Sequence, residues 1–250
     1  MSNKIFTNFY FSKDLENHSI DEVQREYEEK NGDISKYIGS MFCPECKQAE
    51  LSFTHKTSNR RAYLSKLPSS NHLDYCSYNY EYASNKLTKE YISSLSDNQI
   101  NDKLESVLNS ILGRKKGDST IKDMKSLSNN PFLIEDKINY SKSKYKVIPR
   151  KSLNTWIDKS EDNKIYLFYG RVKLEVEEIN GKGYYNLLIK VRKNKSWKYK
   201  IKVFRAKIKD NVDIDIIYDI AIFGHVEFYN GYPQIKTEKL NSIKFRISTI

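Results

Sequence analysis

Residues 190–209 read KVRKNKSWKYKIKVFRAKIK, with ten basic residues and no acidic residue. From Trp197 to Val203, lysines occupy every second position and alternate with aromatic or β-branched residues. This alternation predicts a β-strand with one packed face and one face of lysines. A second alternating stretch lies directly upstream, with the apolar residues Tyr185, Leu187, Ile189 and Val191. Two neighbouring strands of this kind share a basic side, which suits the phosphate backbone of a nucleic acid.

The last third of the chain is predicted to be β-structure throughout. Lys164–Ile179 is long for one strand, and Gly170 lies where a strand that serves two edges of a barrel has to bend. Tight turns are predicted at Asn180–Gly183 and at Asn230-Gly231. The connector at Asp210–Tyr218 is ambiguous, and the remaining strands are Tyr184–Arg192, Trp197–Arg205, Asp219–Phe228, Tyr232–Thr237 and Ile243–Ile247.

This order of strands is that of an OB-fold, with a kinked first strand and an excursion between the third and the fourth. The run AIFGHVEFYNGYPQIKTEKLNSI, residues 221–243, resembles the closing hairpin of OB-fold nucleic-acid-binding domains, and the resemblance covers about residues 164–247. It implies a five-stranded barrel that binds oligonucleotides across its second and third strands. The fold class expected for the whole chain is α+β, with a small zinc-finger β-hairpin and helices followed by this barrel.

Cations and aromatic rings on the outside of such a barrel are the candidate nucleic-acid contacts, because cations follow the backbone and rings stack on bases. Trp197 belongs to the inward series by alternation, although it opens its strand beside a loop and could turn outward. Tyr229 and Tyr232 lie nearby as further stacking candidates. The predicted contact residues are Tyr169, Arg171, Lys173, Tyr184, Lys190, Arg192, Trp197, Lys198, Lys200 and Lys202.

The charge balance supports a polyanionic partner. The net charge is +11, and residues 164–250 contribute 18 basic and nine acidic residues to it. An AT-rich coding sequence also enriches Lys, Asn, Ile and Tyr, so the ordered alternation carries more weight than basicity alone. A single-stranded partner is favoured over a duplex, and the choice between DNA and RNA stays open.

The most specific local pattern is a set of three cysteines and a histidine. Cys43 and Cys46 form a C-x2-C pair, and His72 and Cys76 follow as H-x3-C. An odd number of cysteines in a protein expected in the cytoplasm argues against a disulfide framework. A C-x2-C turn and a helical H-x3-C would complete a tetrahedral Cys3His zinc site.

This zinc ion is expected to be structural, because four protein ligands leave no position for a catalytic water. Residues 49–55 and 61–67, AELSFTH and RAYLSKL, predict a hairpin between the two ligand pairs. His55 is the rival to His72 as the fourth ligand, but it lies within a strand and lacks a partner four residues away. It is therefore interpreted as a surface or supporting histidine.

The order CPEC, strand pair with Arg60-Arg61, and NH-x3-C resembles the N-terminal zinc finger of the competence protein CoiA-like family, over about residues 38–80. In that family a restriction-type nuclease domain often follows, with an aspartate and a Glu-x-Lys pair that bind a divalent metal. The resemblance implies Glu135-Asp136-Lys137, with Asp118 or Asp123 upstream, as the matching positions. Their surroundings are rich in Ser, Asn and Lys and lack the β-branched runs of a catalytic sheet.

The segments before the barrel are predicted to be mainly helical or irregular. Capping boxes at Ser19/Glu22 and Ser96/Gln99 predict helix starts, and residues 84–116 carry an apolar stripe. The helix at 96–113 could instead bind a partner or a second copy of the chain. A polar connector with a short helix at 151–159 follows, so the predicted division is 1–83, 84–160 and 161–250.

No apolar run of bilayer length and no secretory signal are found, so a cytoplasmic location without membrane contact is expected. No nucleophile triad, phosphate-binding glycine loop or convincing carboxylate pair is present in the sequence. The function predicted is non-catalytic nucleic-acid binding, with the zinc finger as a second contact or docking module. The alternatives are a metal-dependent nuclease of CoiA-like type and a protein-binding scaffold or regulator.

Overall fold

The computed structural model describes residues 4–113, 127, 130–135, 144–193 and 196–249. The chain divides into two compact units, Met1–Glu81 with Thr120–Asn130, and Tyr82–Ser119 with Pro131–Ile250. The chain passes from the first unit to the second after Glu81, close to the boundary predicted at residue 83. Residues predicted to form a separate middle segment belong mostly to the second unit, because the helices there pack against its strands.

The first unit contains short strands, one helix and a hairpin. Its elements are β1 (Asn8–Phe11), β2 (Glu16–Ser19), α1 (Ile20–Glu29), β3 (Met41–Phe42), β4 (Leu51–Thr54) and β5 (Tyr63–Lys66). Strands β2, β1 and β3 form a sheet in that order, and β4 pairs with β5 as the predicted hairpin. The predicted capping box of Ser19 and Glu22 is present at the start of α1. The core of this unit joins aromatic residues of β1 to the three cysteines.

The second unit contains two helices and nine strands among its described residues. They are α2 (Asn85–Ser94), α3 (Asp97–Ile111), β6 (Leu133–Glu135), β7 (Tyr145–Val147), β8 (Arg150–Ser152), β9 (Ile165–Glu178), β10 (Tyr185–Lys193), β11 (Ser196–Phe204), β12 (Ile217–Tyr229), β13 (Tyr232–Thr237) and β14 (Ile243–Ile247). The mixed α and β content is as predicted, and the strands after residue 164 begin and end within two residues of their predicted positions.

Five of these strands form a closed ring of hydrogen-bonded pairs. Strand β9 pairs with β12 through residues 165–173 and with β10 through residues 173–178, so one long strand does serve two neighbours. Strand β10 pairs with β11, β11 runs parallel to β13, and β13 returns antiparallel to β12. Strands β8 and β14 extend the sheet beside β9 and β12.

Two apolar cores lie on the two sides of the ring wall. The interior is filled by alternate residues of the ring strands, such as Leu187, Ile189 and Val203. Outside, α2 and α3 pack against β12 and the first half of β9, with Leu104, Leu108 and Phe223 completely buried. The apolar stripe of α3 is thus part of the second unit's own core.

The short helix predicted at residues 151–159 is wrong. The segment instead forms β8, which runs parallel to β9, and then a 3-10 turn at Lys159–Glu161. Leu153 and Ile157 are buried while Trp156 is 58% exposed, and the Leu153 amide donates to the Tyr169 carbonyl at 2.8 Å. Pairing with the open edge of β9 satisfies backbone groups that an isolated short helix would leave to water.

Gly224 lies in the middle of β12, paired with Tyr166 on one side and Thr237 on the other. A Cβ atom there would lie 2.6 Å from the backbone oxygen of Lys236 and 2.9 Å from the Ile235 side chain. We expect Gly224→Ala to lower the free energy of unfolding by about 1–3 kcal/mol, because the ring must open to relieve the overlap.

The matched variant is Gly170→Ala, whose Cβ would meet the Leu153 Cβ at the milder distance of 3.2 Å. Urea unfolding of the two variants, followed by circular dichroism, should show the larger loss for Gly224→Ala. An equal or reversed order would contradict the close approach of β12 and β13.

Among the described residues, no helix combines the length and the apolar character needed to cross a bilayer.

Candidate metal centre and basic aromatic face

Cys43, Cys46, His72 and Cys76 come together in the first unit, with their ligand atoms all within 4.8 Å of one another. The Cys43 and Cys76 sulfurs lie 3.8 Å apart, and the His72 Nδ1 lies 3.4 Å from the Cys46 sulfur and 3.5 Å from the Cys76 sulfur. The three cysteines are buried, and none forms a disulfide. This group of four could hold a metal ion, as the sequence predicts.

Local backbone geometry brings the first two ligands together. The Cys43 amide donates to the Ala49 carbonyl at 2.7 Å, and the Lys47 amide donates to the Cys43 carbonyl at 2.9 Å. Lys47 takes a positive φ of 56°, which lets the chain reverse directly after Cys46. The second pair differs from its prediction, since residues 72–76 form an irregular loop with a turn and not a helix.

A hydrogen-bonded carboxylate connects the two halves of the metal centre. Glu45, between the first two cysteines, accepts from the Ser77 amide at 2.7 Å and from the Ser77 hydroxyl at 2.5 Å. The buried Asn130 donates to the same carboxylate at 2.7 Å and to the Tyr75 carbonyl at 2.8 Å. Glu45 and Asn130 therefore hold the Cys76 loop against the turn that carries Cys43 and Cys46.

Aromatic rings fix the histidine, and they separate it from its rival. Tyr78 stacks on His72 with ring centroids 5.6 Å apart, and Phe6 stacks on Tyr78 at 4.1 Å. His55 instead stacks on Tyr27 at 4.7 Å and is not part of the metal-binding group. His72 is therefore the histidine that the structure places at the centre.

Burial raises the pKa of the Cys43 and Cys76 thiols above the ordinary value for cysteine. Both thiols stay protonated near neutral pH unless a cation offsets the cost of the buried charge. A divalent metal supplies that compensation, since it binds the thiolates directly.

A second candidate site lies in the second unit, on the outside of β9, β10 and β11. We define the basic aromatic face as Lys173, Lys190, Arg192, Trp197 and Tyr199. Lys190 lies directly between Lys173 and Tyr199, and Arg192 lies opposite Trp197. Cationic and aromatic side chains thus meet across three neighbouring strands.

A β-bulge creates this face. The register of β10 and β11 pairs Ile189 with Ile201 and then pairs Lys190 with Tyr199, so Lys200 is an extra residue. The extra residue reverses the alternation that the sequence predicts, which places Trp197 and Tyr199 on the same side as Lys190. Tyr199 is 53% exposed, and the Lys173 Nζ lies 6.0 Å from the centroid of the Trp197 ring.

The bulge also divides the predicted row of lysines. Lys202 remains on the outer side, opposite Leu188. Lys198 is paired with Val191, whose side chain is buried in the ring interior, so Lys198 belongs to the opposite face of the strand. The Lys200 Nζ donates to the Thr155 carbonyl at 2.5 Å. Lys198, Lys200 and Lys202 therefore do not lie in one row on the same face of the sheet.

Ion pairs compensate part of the positive charge of the face. Lys190 pairs with Glu175 at 2.6 Å, and Lys173 pairs with Asp215 at 3.5 Å. Within the described part of the chain, Arg192 has no ion-pair partner and is exposed. Of the three cations of the face, Arg192 is consequently the most available to an incoming anion.

Two predicted contact residues lie away from this surface. Tyr169 is only 6% exposed, so its ring is not accessible for stacking. Arg171 donates to the Leu112 carbonyl at the end of α3 at 2.8 Å and pairs with the buried Asp219 at 3.4 Å. Sequence alternation could not show that α3 covers this half of β9.

Exposed aromatic residues lie at two hairpin loops of the ring strands. Tyr184 precedes β10 and stacks on Phe204 with a centroid distance of 6.4 Å. Tyr229 and Tyr232 flank the turn between β12 and β13 and are 67% and 75% exposed. The turn residues Asn230 and Gly231 both take positive φ values, which fixes a tight hairpin. Phe204 was not among the predicted contacts, although it continues the period-two series of Lys198, Lys200 and Lys202.

The position implied for a nuclease carboxylate is engaged in an ion pair. Glu135 ends β6 and lies 2.8 Å from the Nζ of Lys144. Asp118, Asp123, Asp136 and Lys137 lie outside the described residues.

Comparisons of this chain with protein-family models, with curated proteins and with solved structures find no match.

Proposed function

We propose that the protein binds single-stranded DNA or RNA on the basic aromatic face. The proposal rests on one observation, the meeting of Lys173, Lys190 and Arg192 with Trp197 and Tyr199 across three adjacent strands. Cations that follow a phosphate backbone, together with rings that stack on unpaired bases, are the usual chemistry of single-strand recognition. Unpaired bases are required because a duplex hides their faces.

The ring of strands supports this assignment through its topology. Its order, β9-β10-β11-β13-β12 and back to β9, with β11 parallel to β13, fits the five-stranded barrel of an OB-fold. OB-folds bind oligonucleotides on their second and third strands and with the loops after the first and fourth strands. Those strands here are β10 and β11, and those loops carry Tyr184 and the pair Tyr229 and Tyr232.

We propose zinc as the ion of the metal centre. Two thiolates about 2.3 Å from one tetrahedral ion lie about 3.8 Å apart, and a thiolate and an imidazole nitrogen lie about 3.6 Å apart. The distances of 3.8 Å between sulfurs and 3.4–3.5 Å from sulfur to nitrogen agree with both values. Three sulfurs and one nitrogen favour zinc over calcium or magnesium, which prefer oxygen ligands.

We also propose the finger as a second nucleic-acid contact or a docking module. Its hairpin link exposes Lys56, Arg60 and Arg61, and the Arg60 guanidinium lies 4.1 Å from the Tyr63 ring centroid. A cation next to a ring again combines the two chemistries of the basic aromatic face.

Fluorescence anisotropy with labelled single-stranded DNA, single-stranded RNA and duplex DNA tests the main proposal. We expect both single strands to bind more tightly than the duplex, with affinity that falls as salt is raised from 50 to 200 mM. A lack of binding, or binding that does not respond to salt, would refute the proposal.

Tyr199→Ala is expected to weaken single-strand binding by about 1–3 kcal/mol, or about 5- to 150-fold in Kd, because it removes a stacking ring. The half-exposed ring contributes little to the core, so the melting temperature should change little. The matched control is Lys86→Gln on α2, which removes a cation whose side chain is 86% exposed. Equal losses in the two variants would place the binding surface elsewhere.

A further inference from the structure

Beyond the basic aromatic face, the outer surface of the same three strands carries carboxylates instead of cations. Beyond Lys190, the outer positions are Glu175, paired across β10 with Leu188, and Glu177, paired with Asn186. Asn186 in turn lies opposite Phe204 on β11. A carboxylate at this position repels a phosphate backbone. Its presence beside exposed aromatic rings therefore indicates a role other than phosphate binding.

Glu177 is held in a fixed position and is nevertheless open to solvent. The Asn186 side chain is 5% exposed and donates through Nδ2 to the Glu177 Oε2 at 2.9 Å. In the part of the chain that the structure describes, the Glu177 Oε1 has no hydrogen-bond partner. A buried amide thus orients one carboxylate oxygen and leaves the other available as an acceptor.

Exposed aromatic rings share the face of the sheet with this carboxylate. Phe204 lies next to Asn186 in the same cross-strand row, is 42% exposed and stacks on Tyr184. The pKa of Tyr199, the exposed ring of the basic aromatic face, is raised first by partial burial and then by the negative charge of Glu177. A base that stacks on Phe204 lies over the cross-strand row that also contains Glu177.

We propose that Glu177 selects the base bound on this surface and favours guanine over thymine or uracil. This inference rests on the proposed single-strand binding. A carboxylate can only accept hydrogen bonds. Guanine offers two adjacent donors, N1–H and N2–H2, on an edge that single strands leave open. Thymine and uracil offer one donor between two carbonyl oxygens, and those oxygens are repelled by the carboxylate.

The test compares two labelled 10-mers, oligothymidine and the same strand with every third thymine replaced by guanine, and repeats the pair as RNA with uracil. We expect wild-type protein to bind the guanine-containing strand about tenfold more tightly, the effect of a good paired contact to a base edge. In Glu177→Gln the ratio should fall to about one, because the amide presents a donor and an acceptor in place of two acceptors.

The matched control is Glu175→Gln, which removes the same charge from the same face. Glu175 pairs with Lys190, so this variant should bind both strands more tightly by the same factor and keep the tenfold ratio. A wild-type ratio near one, or a ratio that Glu177→Gln leaves unchanged, overturns the base selection while single-strand binding stands. Failure to bind any of the strands overturns the proposed function itself. Thermal melts of both variants show that the fold is retained.

Discussion

Removal of the metal ion is expected to unfold the first unit. The three cysteines form part of the core of this unit, beside Phe6, Phe9 and Leu51. Without an ion, the unit must keep three buried thiols and a partly buried imidazole close together with only weak hydrogen bonds among them. Structural zinc binding contributes on the order of 10–16 kcal/mol in small zinc domains, more than the whole stability of a unit of this size.

The measurement is circular dichroism and proteolysis of the protein with and without a strong chelator, together with metal analysis of the purified protein. We expect one zinc per chain, and we expect the chelator to expose the first unit to protease. Cys76→Ser should reproduce the effect, because its buried hydroxyl is a poor zinc ligand. His55→Ala is the matched control, since His55 lies outside the ligand group and should keep its zinc. A protein that holds no metal, or that resists the chelator unchanged, would contradict the assignment of the centre.

Asp219→Ala is expected to destabilise the second unit by about 3 kcal/mol. Asp219 is 2% exposed and lies between Arg171, at 3.4 Å, and Arg246, at 3.7 Å. These two arginines also donate to the carbonyls of Leu112 and Gly113 at the end of α3. The side chains of Asp219 and Arg246 are only 3% and 6% exposed. Loss of the carboxylate therefore breaks a buried ion pair from one side, which costs about 3–5 kcal/mol.

Urea unfolding, followed by the signal of the second unit, measures this loss. The matched control is Asp215→Ala, which removes a carboxylate that is 90% exposed and that pairs with Lys173 at 3.5 Å. Because exposed ion pairs contribute about 0–1 kcal/mol, this control should leave stability almost unchanged. A loss for Asp219→Ala no larger than for Asp215→Ala would show that the buried network does not stabilise the packing of α3.

The five ring strands were predictable because each has one face in the ring interior. Alternation through β10 and the turn signals at Asn180–Gly183 and Asn230-Gly231 give the element boundaries directly. The sheet of β1, β2 and β3 was not predicted, because strands of two to four residues are too short to show a period. The segment at 151–159 was misassigned since its apolar spacing of four residues fits a helix, whereas the edge of β9 pairs with it as a strand.

The basic aromatic face was only partly predictable. Lys173, Lys190 and Arg192 were identified from alternation, and the structure keeps them on one surface. Tyr199 was assigned to the packed side, because the regular alternation of lysines gives no sign of the bulge at Lys200. Arg171 and Tyr169 show a second limit of prediction from alternation. An outward position on a strand is accessible only where no other element covers it.

The convergence of Cys43, Cys46, His72 and Cys76 was predictable because the spacing of C-x2-C and H-x3-C is itself a chemical constraint on which atoms can come together. The residues that support them were not predictable. Glu45 lies between two ligands and reads as a surface residue, and Asn130 is 85 positions further along the chain.

The hydrogen bonds of Asn130 have a practical consequence for anyone who dissects this protein. A fragment that stops after residue 83 would contain all four ligands yet lack the amide that bonds to both Glu45 and the Tyr75 carbonyl. The residue that completes the first unit therefore follows the helices of the second unit in the sequence, so neither unit corresponds to one continuous stretch of the gene.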